Sequence, residues 1–564
     1  MVFAQQTLIA DEAYEQALAT SHIAVEQEYG AVFTRRWVVE LILDLAGYTA
    51  DRDLLALRAI EPACGDGAFL VPMVDRLIES CRLHGGDLVG AASAIRACDL
   101  QPAHVAVSRA LVADKLAEAG LAPADAKLLA DTWVSHDDFL LGSHEIGTAD
   151  FVLGNPPYIR LEDVPAAISD AYRRACPTMG GRADVFVGFF EVGLKALKPG
   201  GTLGFICADR WMRNQYGQHL RRLVATHYAV EAMIEMHDVD AFEADVSAYP
   251  SVTVLRRGPQ GSAMVATTRG TFGNNAANRV RAWASEPDAG TLSDPDFDAA
   301  RLPGWFEGSS SWPTGSPERL ALVARLELTL PPLEDPRTQT KIGIGVATGA
   351  DQVFVVKDPS MVEPDRALPL VMARDTSSGH VEWSGHHLID PWDGDTGRLV
   401  SLAEYPKLRA YFDEYGELLR KRNVAGRRPE QWYRTIDRVD HTLTGKAKLL
   451  LPDMKATIHP VLDDGNHYPH HNLYWVCSQS WDPVVLGGLM LSRVAQMFIE
   501  AYAVRMRGGT LRFQAQYLRR IRVPERDSLA PGTTSELRRA FEDRDVERAT
   551  AAALNAYGLD ALPT

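Results

Sequence analysis

Cysteine is scarce in this 564-residue chain: Cys64, Cys81, Cys98, Cys176, Cys207 and Cys477 are its six, and no two are spaced CxxC. That excludes a zinc ribbon, offers no disulfide framework and fits a reducing compartment. No run approaches the ~18 apolar residues needed to span a bilayer. The opening MVFAQQTLIADEAYEQ carries acids where a signal peptide needs a basic start and an apolar run. A soluble, cytoplasmic bacterial protein with no membrane partner is expected. Positive charge is in short supply too, with 58 Lys and Arg against 74 Asp and Glu, a net charge of −16. A wholly basic DNA coater is therefore excluded, although nucleic acid held in a local basic cleft is not. Tandem repeats are missing. What remains is ordinary globular composition, 46% apolar and 23% charged, with chain enough for two large domains.

The first half alternates apolar, strand-like runs with helical spacing, the pattern of a doubly wound α/β sheet. LRAIEPA (57–63), IRACDL (95–100), TWVSHD (132–137), FVLGN (151–155), TLGFICA (202–208) and SVTVLRR (251–257) read as strands. FLVPMVDRLIESC, HVAVSRALVADKLAEAG and VFVGFFEVGLKALK read as helices between them. Residues 258–317, rich in Gly, Ser, Asn and Pro, read as a linker. The expected organisation is a catalytic domain over 1–257, that linker, a second domain over 318–525, and a helical tail over 526–564.

Two turns carry the chemistry. EPACGDGAFL places Gly65 and Gly67 where a strand gives way to a helix, the corner at which ligands sit in open α/β sheets. Glycine permits close backbone approach, and the helix start offers free N–H groups. A dinucleotide fingerprint fails here, because Leu70 stands at the third glycine position, and no Lys marks a phosphate loop. Asp99 ends the second strand far beyond the ~20-residue spacing of dinucleotide sites, but it can still accept from two ribose hydroxyls. The alternative is that the two glycines make only a tight turn.

DFVLGNPPYIR is the more informative segment. Asn155-Pro156-Pro157-Tyr158 follows an apolar strand directly. The prolines fix φ and remove N–H donors, leaving carbonyls as acceptors. The Asn155 side-chain oxygen and the Pro156 carbonyl suit a planar NH₂ group with two hydrogens to give. Accepting both turns the nitrogen towards sp³ and aims its lone pair at an electrophilic methyl. Tyr158 can stack on a planar substrate, as base-flipping enzymes require.

Together these motifs resemble S-adenosylmethionine-dependent amino methyltransferases, and their order resembles the gamma-class DNA adenine-N6 enzymes of the TaqI type. The resemblance implies a Rossmann-like domain with a mixed seven-stranded sheet, followed by an α+β target-recognition domain. It implies that YGAVFTRRWVVELILDLAG contacts the methionine end of the cofactor through Thr34, with Arg35 standing where proline is usual. Glu61, Ala63, Cys64, Gly65 and Gly67 would form the cofactor loop, Asp99 the ribose contact, and Asp138 and Phe139 the adenine contacts. Asn155, Pro156 and Tyr158 would be catalytic, with Phe242 on the far face of the flipped base and Tyr249 a competing choice. KIGIGVATGADQVFVV, KLLLPDMK, YPHHNLYWV and LGGLMLSRVAQMFIEAY resemble the recognition half of restriction–modification methylases.

Two basic stripes break the acidic trend. One holds Arg420, Lys421, Arg422, Arg427, Arg428, Arg434 and Arg438; the other holds Arg505, Arg507, Arg512, Arg519, Arg520 and Arg522. Trp432, Tyr433, Phe513 and Tyr517 are interleaved, the combination that backbone neutralisation and base contact ask for. Arg420, Arg427, Arg428, Arg512 and Arg519 are the chosen DNA contacts. HYPHHNLYWV holds three histidines, but Pro469 breaks any helix, no Cys is close and no metal is expected. The expected partners are double-stranded DNA and a separate cognate restriction endonuclease or defence protein. A fused nuclease is not expected. The rival readings are a protein-glutamine methyltransferase of the release-factor type, an RNA amino methyltransferase and a non-catalytic DNA specificity subunit.

Overall fold

The computed structural model describes residues 34–563 apart from 143–146, 238, 244–248, 287–288 and 504–509. The chain divides into two compact units between Ala324 and Arg325.

In the first unit the apolar runs become strands β1 (Ala59–Glu61), β2 (Ile95–Asp99), β3 (Val134–His136), β4 (Ala149–Gly154), β5 (Leu197–Ala208), β6 (Tyr228–Glu235) and β7 (Pro250–Arg257). They lie in the order β3-β2-β1-β4-β5-β7-β6. The first five are parallel, and β7 runs antiparallel between β5 and β6. Because the parallel strands are covered, they read as continuous apolar runs: Phe151, Val152 and Leu153 are at most 1% exposed. Helices Leu70–His84, Pro102–Glu118, Phe186–Ala196 and Gln218–His227 alternate with the strands. Helix Arg36–Ala46 buries Val38, Val39, Leu41, Ile42 and Leu43 in the same core. β6 has no counterpart among the predicted strands, because Glu231 and Glu235 interrupt its apolar pattern. Both acids are paired within the unit, Glu231 to Arg256 at 2.5 Å and Glu235 to Arg213 at 2.7 Å.

The linker expected over 258–317 is not one. Strands β8 (Ala263–Thr268), β9 (Thr291–Ser293) and β10 (Phe297–Leu302) extend the sheet to ten, with β8 parallel to β6. Beyond Leu302, Trp312 packs on Trp211 at 4.9 Å, and Arg221 donates to the Ser310 carbonyl at 2.8 Å. The polar residues that suggest a linker fall in helix Asn274–Ser285 and in the connections around these short strands.

The second unit is α+β. One four-stranded antiparallel sheet joins Lys341–Ile344, Leu473–Cys477, Lys448–Pro452 and Val461–Asp463, and a second joins Val355–Val356, His387–Ile389, Ala367–Val371 and Tyr468–Pro469. The tail forms two helices, Pro531–Glu542 and Val546–Tyr557. It packs on helix Pro483–Leu491 closely enough that a Cβ on Gly487 would stand 2.5 Å from the Phe541 ring. Among the described residues no single helix is long and apolar enough to cross a membrane.

Candidate active site

The site assembles at the carboxyl ends of β1, β2 and β4. β1 ends at Glu61 and the chain turns through Gly65 and Gly67, whose φ angles of 52° and 89° lie in the left-handed region that glycine tolerates. Asp99, ending β2, anchors this turn. Its carboxylate accepts from Gly65 N at 2.9 Å and Gln101 N at 2.8 Å, and His104 lies 3.3 Å away. Ser108 donates to the Gly65 carbonyl at 2.9 Å, a support with no motif to announce it. Cys64 is buried, and burial pushes its thiol up, away from reactivity.

Glu61 is 1% exposed, and its Oε2 has no hydrogen-bond partner among the described residues. Burial, then the charges of Asp99 and Asp66, push its carboxyl well above the ordinary range. Beside the loop, Thr34, Asp66, Gly67 and Glu243 line a cavity of about 210 Å³.

Asn155 follows β4 directly. Its amide nitrogen donates to Thr34 Oγ1 at 3.2 Å, across 121 positions of sequence. Thr34 in turn pairs through its backbone with Phe242. The structure therefore brings together three residues from three separate motifs. Burial pushes the Tyr158 phenol well above its ordinary value, so the side chain is neutral. Tyr158 and Phe242 meet edge to face, with centroids 6.0 Å apart at 82°, so they do not form a parallel-walled slot. Tyr249, the competing choice, is 61% exposed and stands against His237 at 5.0 Å.

Asp138 is buried and accepts from Leu140 N at 2.8 Å and the Tyr172 hydroxyl at 3.0 Å. The Phe139 ring is 2% exposed and stacks on Phe189 at 5.3 Å.

The basic stripes separate into two kinds. Arg427 and Arg428 line a cleft of about 620 Å³ with Asn423 and Arg434, and neither has an acidic partner among the described residues. Arg420 is exposed and lies over the Trp432 ring at 3.9 Å. Arg422 is structural: its guanidinium donates to the carbonyls of Thr348, Trp432 and Arg434. In the second stripe, Arg512 pairs with Asp453, Arg519 with Glu334 at 2.6 Å, and Arg520 and Arg522 both reach Glu327 at 3.9 Å. Arg512 and Arg519 are thus committed within the second unit, to acids 59 and 185 positions away. Arg505 and Arg507 lie outside the described residues. Of the interleaved aromatics, Trp432 and Phe513 are 8% and 1% exposed, so they belong to the interior.

Two of the three histidines after Asp463 meet carboxylates. His467 contacts Asp463 at 2.6 Å, beside a fully buried Lys448–Asp463 pair at 2.8 Å. His470 contacts Asp351 at 3.1 Å with His471 adjacent, a cluster of metal-ligating types that Asp351 completes from another part of the chain.

Residues 114–242 match the model of the Eco57I restriction-modification methylase family. The type II methyltransferase M.XhoI of Xanthomonas vasicola is 41% identical, over 94% of this chain and 98% of its own length. The type II methyltransferase M.PaeR7I of Pseudomonas aeruginosa is 42% identical, over 96% of this chain and 94% of its own. Among solved structures, the type IIL restriction-modification enzyme MmeI in complex with DNA shares 11% identity over 94% of this chain and 74% of its own, with a TM-score of 0.39, too remote to add anything about this chain. Full-length similarity at this level, with the cofactor-type loop and the Asn-Pro-Pro-Tyr turn in one sheet, means that the chain belongs to the type II methyltransferases of restriction–modification systems, enzymes that methylate DNA from S-adenosylmethionine.

Proposed function

We propose that the enzyme methylates the N6 amine of an adenine flipped out of double-stranded DNA. The observation that carries this reading is the Asn155–Thr34 contact at the end of β4. With the amide nitrogen given to Thr34, the oxygen end of Asn155 is the one turned to a substrate amine. Asn155 and the Pro156 carbonyl accept the two amine hydrogens, and Tyr158 supports the base. The departing proton passes to water once the nitrogen carries the methyl group. Extruding the base costs a few kcal/mol, which stacking and these hydrogen bonds offset. Phe242, whose backbone pairs with Thr34, completes the clamp.

The residues around the glycine turn fit the methyl donor. Glu61 offers a buried oxygen that no described residue satisfies, and a cavity lies between Thr34 and Gly67. S-adenosylmethionine supplies the electrophilic methyl. Thr34, Glu61, Ala63, Cys64, Gly65, Gly67, Asp99 and Asp138 would hold it. Arg420, Arg427 and Arg428 neutralise DNA phosphates. A restriction endonuclease reading the same sequence, in the same bacterial cytoplasm, is the expected counterpart.

The test is methyl transfer from labelled S-adenosylmethionine to mixed-sequence duplex DNA, digested to nucleosides. Label is expected in N6-methyladenine. Asn155→Ala should keep cofactor affinity and lose transfer by about 10²–10³-fold, the cost of one preorganised polar contact. Label in N4-methylcytosine, or undiminished turnover by the variant, would sink the reading.

A further inference from the structure

We propose that Arg35 is a positioning residue for the target-base pocket, holding Phe242 beside the Asn155 turn through the segment Asp240–Phe242. The inference rests on the base-clamp reading above. Arg35 ties three successive residues of that segment. Its main-chain N–H donates to the Ala241 carbonyl at 3.0 Å, its Nε donates to the Phe242 carbonyl at 3.0 Å, and its guanidinium pairs with Asp240.

These ties differ in weight. The Asp240 side chain is 73% exposed, so in water that ion pair adds little. Ala241 and Phe242 are 1% and 4% exposed, and their carbonyls need partners that solvent does not readily supply. The Nε bond and the Asp240 pair leave one guanidinium in a fixed fork, which a lysine ammonium cannot reproduce. Thr34, one residue earlier, pairs with Phe242 through its backbone and accepts from Asn155 through its hydroxyl. Residues 34 and 35 thus join the amine-binding turn and the ring beside it. The two ends of the Arg35–Phe242 bond are 207 positions apart.

The site is convenient to test. Arg35 precedes helix Arg36–Ala46 with φ −59° and ψ 140°, and its side chain makes no cap to that helix. Arg35→Ala removes the fork but keeps the main-chain bond. Arg35→Pro fits the same φ and removes the main-chain donor as well.

Single-turnover methyl transfer to a duplex that the wild type methylates, at saturating cofactor and DNA, is compared for wild type, Arg35→Ala, Phe242→Ala and the double variant. Cofactor affinity is measured by calorimetry, and Asn155→Ala serves as the control on the underlying reading. Arg35→Ala is expected to slow transfer about tenfold or more, the scale of a small misplacement of a positioned group, with cofactor affinity unchanged. Arg35→Lys should recover little. In the Phe242→Ala background, Arg35→Ala should add nothing further. Equal slowing by Arg35→Ala with and without Phe242, or no slowing, overturns the proposal. If Phe242→Ala is silent while Asn155→Ala abolishes transfer, the clamp falls and Arg35's role with it. Activity retained by Asn155→Ala refutes the catalytic reading itself. Should Arg35→Ala lose its cooperative melting transition, Arg35→Lys carries the same comparison.

Discussion

Glu61 stands at the end of a strand whose other two residues, Ala59 and Ile60, are buried and apolar. Folding alone would favour an aliphatic side chain there, since a buried polar atom without a partner costs about 1–3 kcal/mol. In the proposed cofactor site, a ligand that engages Glu61 would offset that cost. Glu61→Leu is therefore expected to raise the melting temperature of the free protein, while weakening S-adenosylmethionine binding at least tenfold. Paired thermal melts and calorimetric titrations check this, and a destabilised variant with unchanged affinity would remove Glu61 from the cofactor site.

At the scale of elements, charge runs need their partners before they mean anything. The stripe at Arg427 and Arg428 faces a cleft, whereas Arg512 and Arg519 each meet a carboxylate. Arg427→Ala and Arg428→Ala should weaken DNA binding and each lower the slope of log affinity against log salt by about 1. Arg512→Ala and Arg519→Ala should leave that slope unchanged and lower the melting temperature instead. Binding isotherms at several salt concentrations separate the two groups, and equal slopes for all four variants would erase the distinction. The contrast also marks what the sequence could reveal. Contiguous features were legible: the Asn155–Tyr158 turn, the glycine loop, Asp99 and the six strands with unbroken apolar runs. Pairings across distance were not, because Thr34 with Asn155 or Arg519 with Glu334 leaves no local pattern. β6 and β8 to β10 are not legible in the sequence, because acids paired elsewhere in the fold and polar connecting segments interrupt the apolar pattern of short strands.

At the scale of the whole molecule, the histidines whose values are shifted differ between the two units. In the first, the hydrogen bond that His237 donates to Asp209 raises the histidine, and burial raises Glu61. A raised native value means stability that is present at low pH and lost as pH rises through that value. In the second unit, the hydrogen bond to Asp390 raises His441, but burial lowers His386, His459 and His470. Lowered histidines act in reverse, contributing stability above their unfolded value near 6.5 and losing it as pH falls. Raising the pH from about 6 to 8 should loosen the first unit and tighten the second. Hydrogen exchange corrected for intrinsic rates, comparing β4 and β5 with Lys448–Pro452 and Leu473–Cys477, tests this. A parallel change in both units would contradict it.

The continuation of the sheet through β8 and β10 bears on where the chain can be divided without breaking a core. A graft joined at residue 257, where the apolar pattern of the first half fades, would strip β8 from β6 and expose Val265, Phe297 and Ala299, each now at most 2% exposed. The edge of β6 would be left open to pairing with other chains. A junction placed after the Trp312 packing, ahead of helix Pro317–Thr329, keeps that sheet whole and transplants the second unit with its own core.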